Sequence, residues 1–173
     1  MDRELLYQTF KVSLDILDEV WNNSQKIDIK TKVRQFMNGT MEIYLALKAD
    51  PSIREDPEFQ HYISESAGKL TWFTNYIGLF MLYIEHDLHS TFYDDEWVQL
   101  CWERSSIDAL KEMYRNTCLE EHFPAIDTED LDDHMSSVGN QEGYLEAKDI
   151  PAGIPHSHWW WWYPEKPETS QQG

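Results

Sequence analysis

The sequence predicts an all-α protein: a single helical bundle of four or more helices, with an irregular acidic, Trp- and Pro-rich C-terminal segment packed on it. Three observations predict this. Apolar residues recur every three or four positions through the first 122 residues, which is the period of a helix face. No period-two alternation competes with that spacing. Of the 173 residues, 41% are hydrophobic and 14% aromatic, enough for one buried core.

The first helix is expected over residues 2–23, with Leu6, Phe10, Leu14, Leu17 and Trp21 along one face. Asn22, Asn23 and Ser24 supply its polar stop. A second follows over 28–49, carried by Val33, Phe36, Met37, Ile43, Tyr44 and Leu47. Gly39 weakens it by about 1 kcal/mol relative to Ala. Asp50 before Pro51 ends it, because the residue preceding a proline is pushed out of the helical region. Asp56-Pro57 starts the third, an N-cap residue followed by Pro at the first helical position. Between 70 and 84 this helix is apolar on nearly every side. It is therefore expected at the centre of the bundle, or to offer a face to a second copy in a homodimer. Gly68 and Gly78 are expected to mark a close helix approach or a kink. After 90–93 a fourth helix begins at Asp94 or Asp95, with Trp97, Leu100, Cys101, Ile107, Leu110, Met113 and Tyr114 as its stripe. Ser105-Ser106 is a candidate break, and Pro124 closes the helical region.

The chain thus divides into a bundle over 1–122, an acidic connecting segment over 123–149, and a Trp/Pro-rich tail over 150–173, polar and frayed from 165 onward. The formal net charge is -18. Residues 119–149 hold ten acidic side chains and a single base, Lys148, so half of that excess sits in 31 residues. Direct nucleic-acid binding is excluded by this balance, since it rests on Lys and Arg neutralising phosphates. Adsorption to an anionic membrane is excluded on the same ground. The apolar run 70–84 is shorter than the roughly 20 residues that span a bilayer. The start, Met1-Asp2-Arg3-Glu4, lacks a secretory pattern, so a cytoplasmic location and reduced cysteines are expected. Cys101 and Cys118 are read as core thiols on one helical stretch, roughly 25 Å apart at about 1.5 Å per residue.

Three features carry candidate chemistry. The acidic block, with Glu120, Glu121, Asp127, Glu129, Asp130, Asp132 and Asp133, reads as a solvated loop or as a docking surface that steers a cationic protein. It lacks a calcium-loop pattern: position six from Asp130 is Met135, where Gly is required. The run Trp159, Trp160, Trp161 and Trp162 reads as a seal over a groove of the bundle or as an anchor for a protein partner. His86 and His89 share a helix face and would suit a metal. The paired Glu-x-x-His pattern of helical di-metal proteins is absent there, and a polar helix end meeting the C-terminal dipole explains them equally. No cofactor and no metal ligand set are assigned.

No G-x-S-x-G, phosphate loop or dinucleotide fingerprint occurs, and no enzyme activity is assigned. The leading expectation is an acidic inhibitor that covers the cleft of a basic, nuclease-type toxin. It resembles immunity proteins in size and charge only. The alternatives are a helical metal-binding protein or metalloenzyme using His86 and His89, and a phage-type nucleic-acid mimic. An oligomeric structural protein built on the 70–84 face is a further reading.

Overall fold

The computed structural model describes residues 2–89, 94–142 and 145–162. It is an all-α bundle, with no strand among the described residues. Residues 90–93, before the fourth helix, and the polar end at 165–173 lie outside them. Helices α1 (Arg3–Asn23), α2 (Ile29–Ala49), α3 (Pro57–Leu88), α4 (Asp94–Met113) and α5 (Glu129–Glu142) follow in order, with 3-10 helices between α2 and α3 and between α4 and α5.

The starts follow local chemistry. Carboxylates of Asp2, Asp28 and Asp56 accept from the backbone N–H groups of Leu5, Thr31 and Glu58 at 2.8, 3.3 and 2.9 Å, each satisfying a donor that has no partner within its helix. Pro57 stands in the first turn of α3. Gly39 proves to be more than a weak point in α2. A Cβ there would stand 3.0 Å from the Ser13 hydroxyl oxygen on α1, so the two helices meet closely at this residue. Gly68 and Gly78 face open space, so neither marks a close approach.

The face expected on α1 is buried at Leu6, Phe10 and Leu17, but Trp21 is 62% exposed. Its ring packs instead on Trp72 of α3 at 4.8 Å. The 70–84 segment is likewise not covered on every side, since Leu82 is 59% exposed.

As expected for a central helix, α3 packs on each of the other four helices, while α4 holds the longest run of buried positions. From residue 100 to 110 every side chain except Trp102 and Asp108 is buried. α2 and α3 pack on it, and the C-terminal turn Trp159–Trp161 packs on it as well. Ser105 and Ser106 do not break it; both are fully buried within a continuous helix. Sequence periodicity does not reveal how deeply α4 lies, because α4 buries Glu103, Arg104 and the two serines, which read as solvent-facing until their partners are known. α4 ends at Met113, and Asn116 lies just beyond at φ 66°, a left-handed conformation that asparagine tolerates. Cys101 and Cys118 therefore do not share a helix. Cys101 is buried, Cys118 is exposed, and both are free.

Pro124 does not close the helical region: the acidic segment, expected to be irregular, folds as α5, because Leu131 and Met135 lie four apart and enter the core on one face. It packs on α3 and on the Trp turn.

Candidate functional site

The site is built around Arg104, on α4, which is 3% exposed. A guanidinium taken out of water costs several kcal/mol unless its N–H groups and charge are met. Here they are met from two helices. Nε donates to Asp132 Oδ1 at 2.6 Å and Nη2 to Asp132 Oδ2 at 3.0 Å, a two-pronged contact with α5. Nη2 also donates to the Thr128 hydroxyl at 2.9 Å, and Nη1 to Asp108 one turn along α4 at 2.9 Å. The guanidinium carbon lies 4.3 Å from the Trp160 ring centre, a cation–π contact strengthened by exclusion of water.

One residue further on, the fully buried Ser105 hydroxyl gathers the C-terminal segment. Its oxygen accepts the indole N–H of Trp160 at 3.0 Å and of Trp161 at 2.8 Å. A hydroxyl has two acceptor positions and one hydrogen. With both acceptor positions taken, that hydrogen goes to His158 Nδ1, 3.0 Å away. His158 is therefore held as the neutral tautomer with its proton on Nε2, by elimination. Asp108 Oδ2 lies 3.8 Å from that nitrogen. Burial pushes the imidazole pKa below its usual value. Among charges nearby, Asp108 and Glu112 act to raise it, whereas Arg104 and Lys48 act to lower it. Trp160 also gives its indole N–H to the Cys101 carbonyl at 3.1 Å, and its own carbonyl stands 3.4 Å from the Cys101 thiol. Burial raises that thiol's pKa well above normal.

Ser105, His158 and Asp108 are the residue types of a catalytic triad. With Ser105 at 0% exposure and two indoles on its oxygen, no substrate carbonyl reaches it in this conformation. The arrangement works as a clasp: it fastens residues 158–161 across α4.

The acidic residues singled out in the sequence separate into different roles. Asp132 is spent on Arg104. Asp127 accepts from the Glu129 N–H at 3.1 Å and so caps α5, while Glu120 accepts from the Asn116 N–H at 2.6 Å in the turn after α4. Glu121, Glu129, Asp130 and Asp133 are exposed. Of the four acidic residues at 129–133, Asp132 alone forms an ion pair among the described residues. The four tryptophans separate too. Trp160 and Trp161 are 1% and 0% exposed. Trp159 and Trp162 are half-buried, Trp162 stacking on His156 at 4.5 Å.

His86 and His89 are not brought together with a third ligand. The His86 ring is 80% exposed beside Asp87, and His89 packs edge-on against His134 at 5.3 Å. Among the described residues no group of three potential metal ligands forms, and no helix is long and apolar enough to cross a membrane.

Sequence reasoning missed Arg104, Ser105, Asp108 and Thr128 entirely, and His158 as a hub. A signal existed for one contact only: Arg104 and Asp108 stand four apart on a helix. No family model, no curated protein and no solved structure matches this chain.

Proposed function

We propose that this chain binds a basic protein and covers its functional cleft, as an immunity protein does to a nuclease-type toxin. The observation that carries the reading is the clamp on α5. Arg104 fixes Asp132 from beneath, so Glu129, Asp130 and Asp133 stand exposed on an ordered helix. Carboxylates fixed before binding lose less side-chain and backbone freedom when they meet Lys or Arg. In a chain of net charge -18 they also steer a cationic partner over distances near the Debye length. The Trp159–Trp161 turn packs on α5, so the half-buried Trp159 and Trp162 supply apolar edge close to the charge. Trp160 and Trp161 support the surface from inside.

Charge reversal tests this. Glu129, Asp130 and Asp133 are changed together to Lys, with Asp132 left intact. Purified basic nucleases, beginning with any encoded beside this gene, are then measured for association and for inhibition. The expected result is stoichiometric inhibition by the native chain and association slowed about ten-fold or more in the variant, with the difference shrinking at high salt. A native chain that neither associates with nor inhibits any of them ends the proposal.

A further inference from the structure

A separate cavity of about 470 Å³ opens between α2, the end of α4 and residues 155–158. Its chemistry runs against the rest of the molecule. In a chain with 14 bases and 32 acids, its wall holds Lys48, Lys111 and Arg115. Lys111, Glu112 and Arg115 stand three, four and seven residues after Asp108, which keeps the four along one side of the chain as α4 ends.

The two carboxylates in the wall are already neutralised. Glu112 accepts from the Tyr44 hydroxyl at 2.8 Å and from Lys48 at 2.8 Å, with Arg54 at 3.4 Å. Asp108 is held by Arg104 at 2.9 Å. The remaining donors have no anion. Lys111 is half-buried, and its ammonium donates to the neutral Ile126 carbonyl at 2.6 Å. Among the described residues neither Lys111 nor Arg115 has a carboxylate within ion-pair distance. His158 also lines this cavity, and Asp108 Oδ2, 3.8 Å from its Nε2, is too distant for a hydrogen bond. Burial disfavours the charged ammonium and pushes the Lys111 pKa down, against the nearby carboxylates of Asp108, Asp127 and Asp132, which act to raise it.

We infer that this cavity is a binding site for a small phosphate monoester, whose terminal oxygens take the free donors of Lys111, Arg115 and His158. A phosphate monoester near pH 7 carries between one and two negative charges and three acceptor oxygens. It would give Lys111 an anion in direct contact, and the cavity has room for a small organic group on the ester oxygen. This inference does not depend on the acidic face of α5.

The experiment is calorimetric titration of the full chain with inorganic phosphate, glycerol phosphate and succinate. The expected result is saturable binding of both phosphates, tighter than that of succinate, with affinity reduced about ten-fold or more in Arg115→Ala and in Lys111→Met. Arg115 is exposed, so its variant folds even if Lys111→Met does not. The native Lys111 amine should also lose reactivity toward an acylating reagent when phosphate is present. Three results would overturn the inference: no saturable binding up to about 10 mM, equal binding by Arg115→Ala, or preference for succinate.

Discussion

Arg104 and Asp132, 28 residues apart in the chain, meet through two hydrogen bonds of 2.6 and 3.0 Å. Through them α4 holds α5 in place. The pair explains how a helix beginning with Glu129, Asp130, Asp132 and Asp133 stays docked in a strongly negative molecule. One of its carboxylates is bound to a buried cation, while the apolar side chains Leu131 and Met135 enter the core.

Asp132→Asn should therefore destabilise the protein by about 2 kcal/mol. Breaking a fully buried pair costs roughly 3–5 kcal/mol, but the Asp132 side chain is 28% exposed and Asp108 still meets the guanidinium. Asp130→Asn and Asp133→Asn should each stay within about 0.5 kcal/mol. Urea unfolding midpoints at unchanged slope distinguish them, and equal effects from all three would contradict the clamp.

Trp161→Ala removes a fully buried indole and its bond to Ser105, and should cost about 3–5 kcal/mol. Trp162→Ala should cost well under half of that, because its ring is half-exposed and stacks mainly on His156. Thermal unfolding of the two variants measures the ratio.

His158 should make stability fall on mild acidification. Its folded pKa lies below the usual 6.5, so the unfolded chain takes up a proton first. The contribution is present above about pH 6.5 and is lost as pH drops through and below it. Asp108, Arg104, Glu112 and Lys48 face the ring from α4 and α2, and Tyr44 lies parallel to it at 6.4 Å. Protonation also demands an N–H at Nδ1, where the Ser105 oxygen already holds two indoles. Melting temperatures between about pH 7.5 and pH 5.5 should decline for the native chain and decline less for His158→Gln. Carboxylates held low by hydrogen bonds, such as Asp56 beside Tyr7, lose their contribution only below about pH 4. Glu103, pushed up by burial, acts in the opposite sense as pH falls, so the comparison with His158→Gln isolates the imidazole.

Of the two cysteines, Cys118 should react at once with a thiol reagent and Cys101 only after unfolding. Trp160→Ala, which opens the cover on Cys101, should bring the second thiol into reach in the native state. Mass spectrometry after brief alkylation reads both. Prompt modification of Cys101 in the native chain would mean that residues 158–161 do not stay closed over α4.

The sequence by itself determined where the first four helices lie and where most begin and end, but not α5, which lies in the segment read as irregular. The features it did read are local: apolar spacing along α1 to α4, Pro57 after Asp56, Pro51 after Asp50. It also determined that the acids concentrate after residue 119. Tertiary structure alone decided how deeply α4 lies, which of seven neighbouring carboxylates is bound inward, and which of four adjacent indoles are buried. A charge or a hydroxyl reads as surface until something answers it, and what answers Arg104 and Ser105 arrives from 28 and 53 residues downstream. Burial of a polar group is settled by its partner in space, and no periodicity along the chain records that partner.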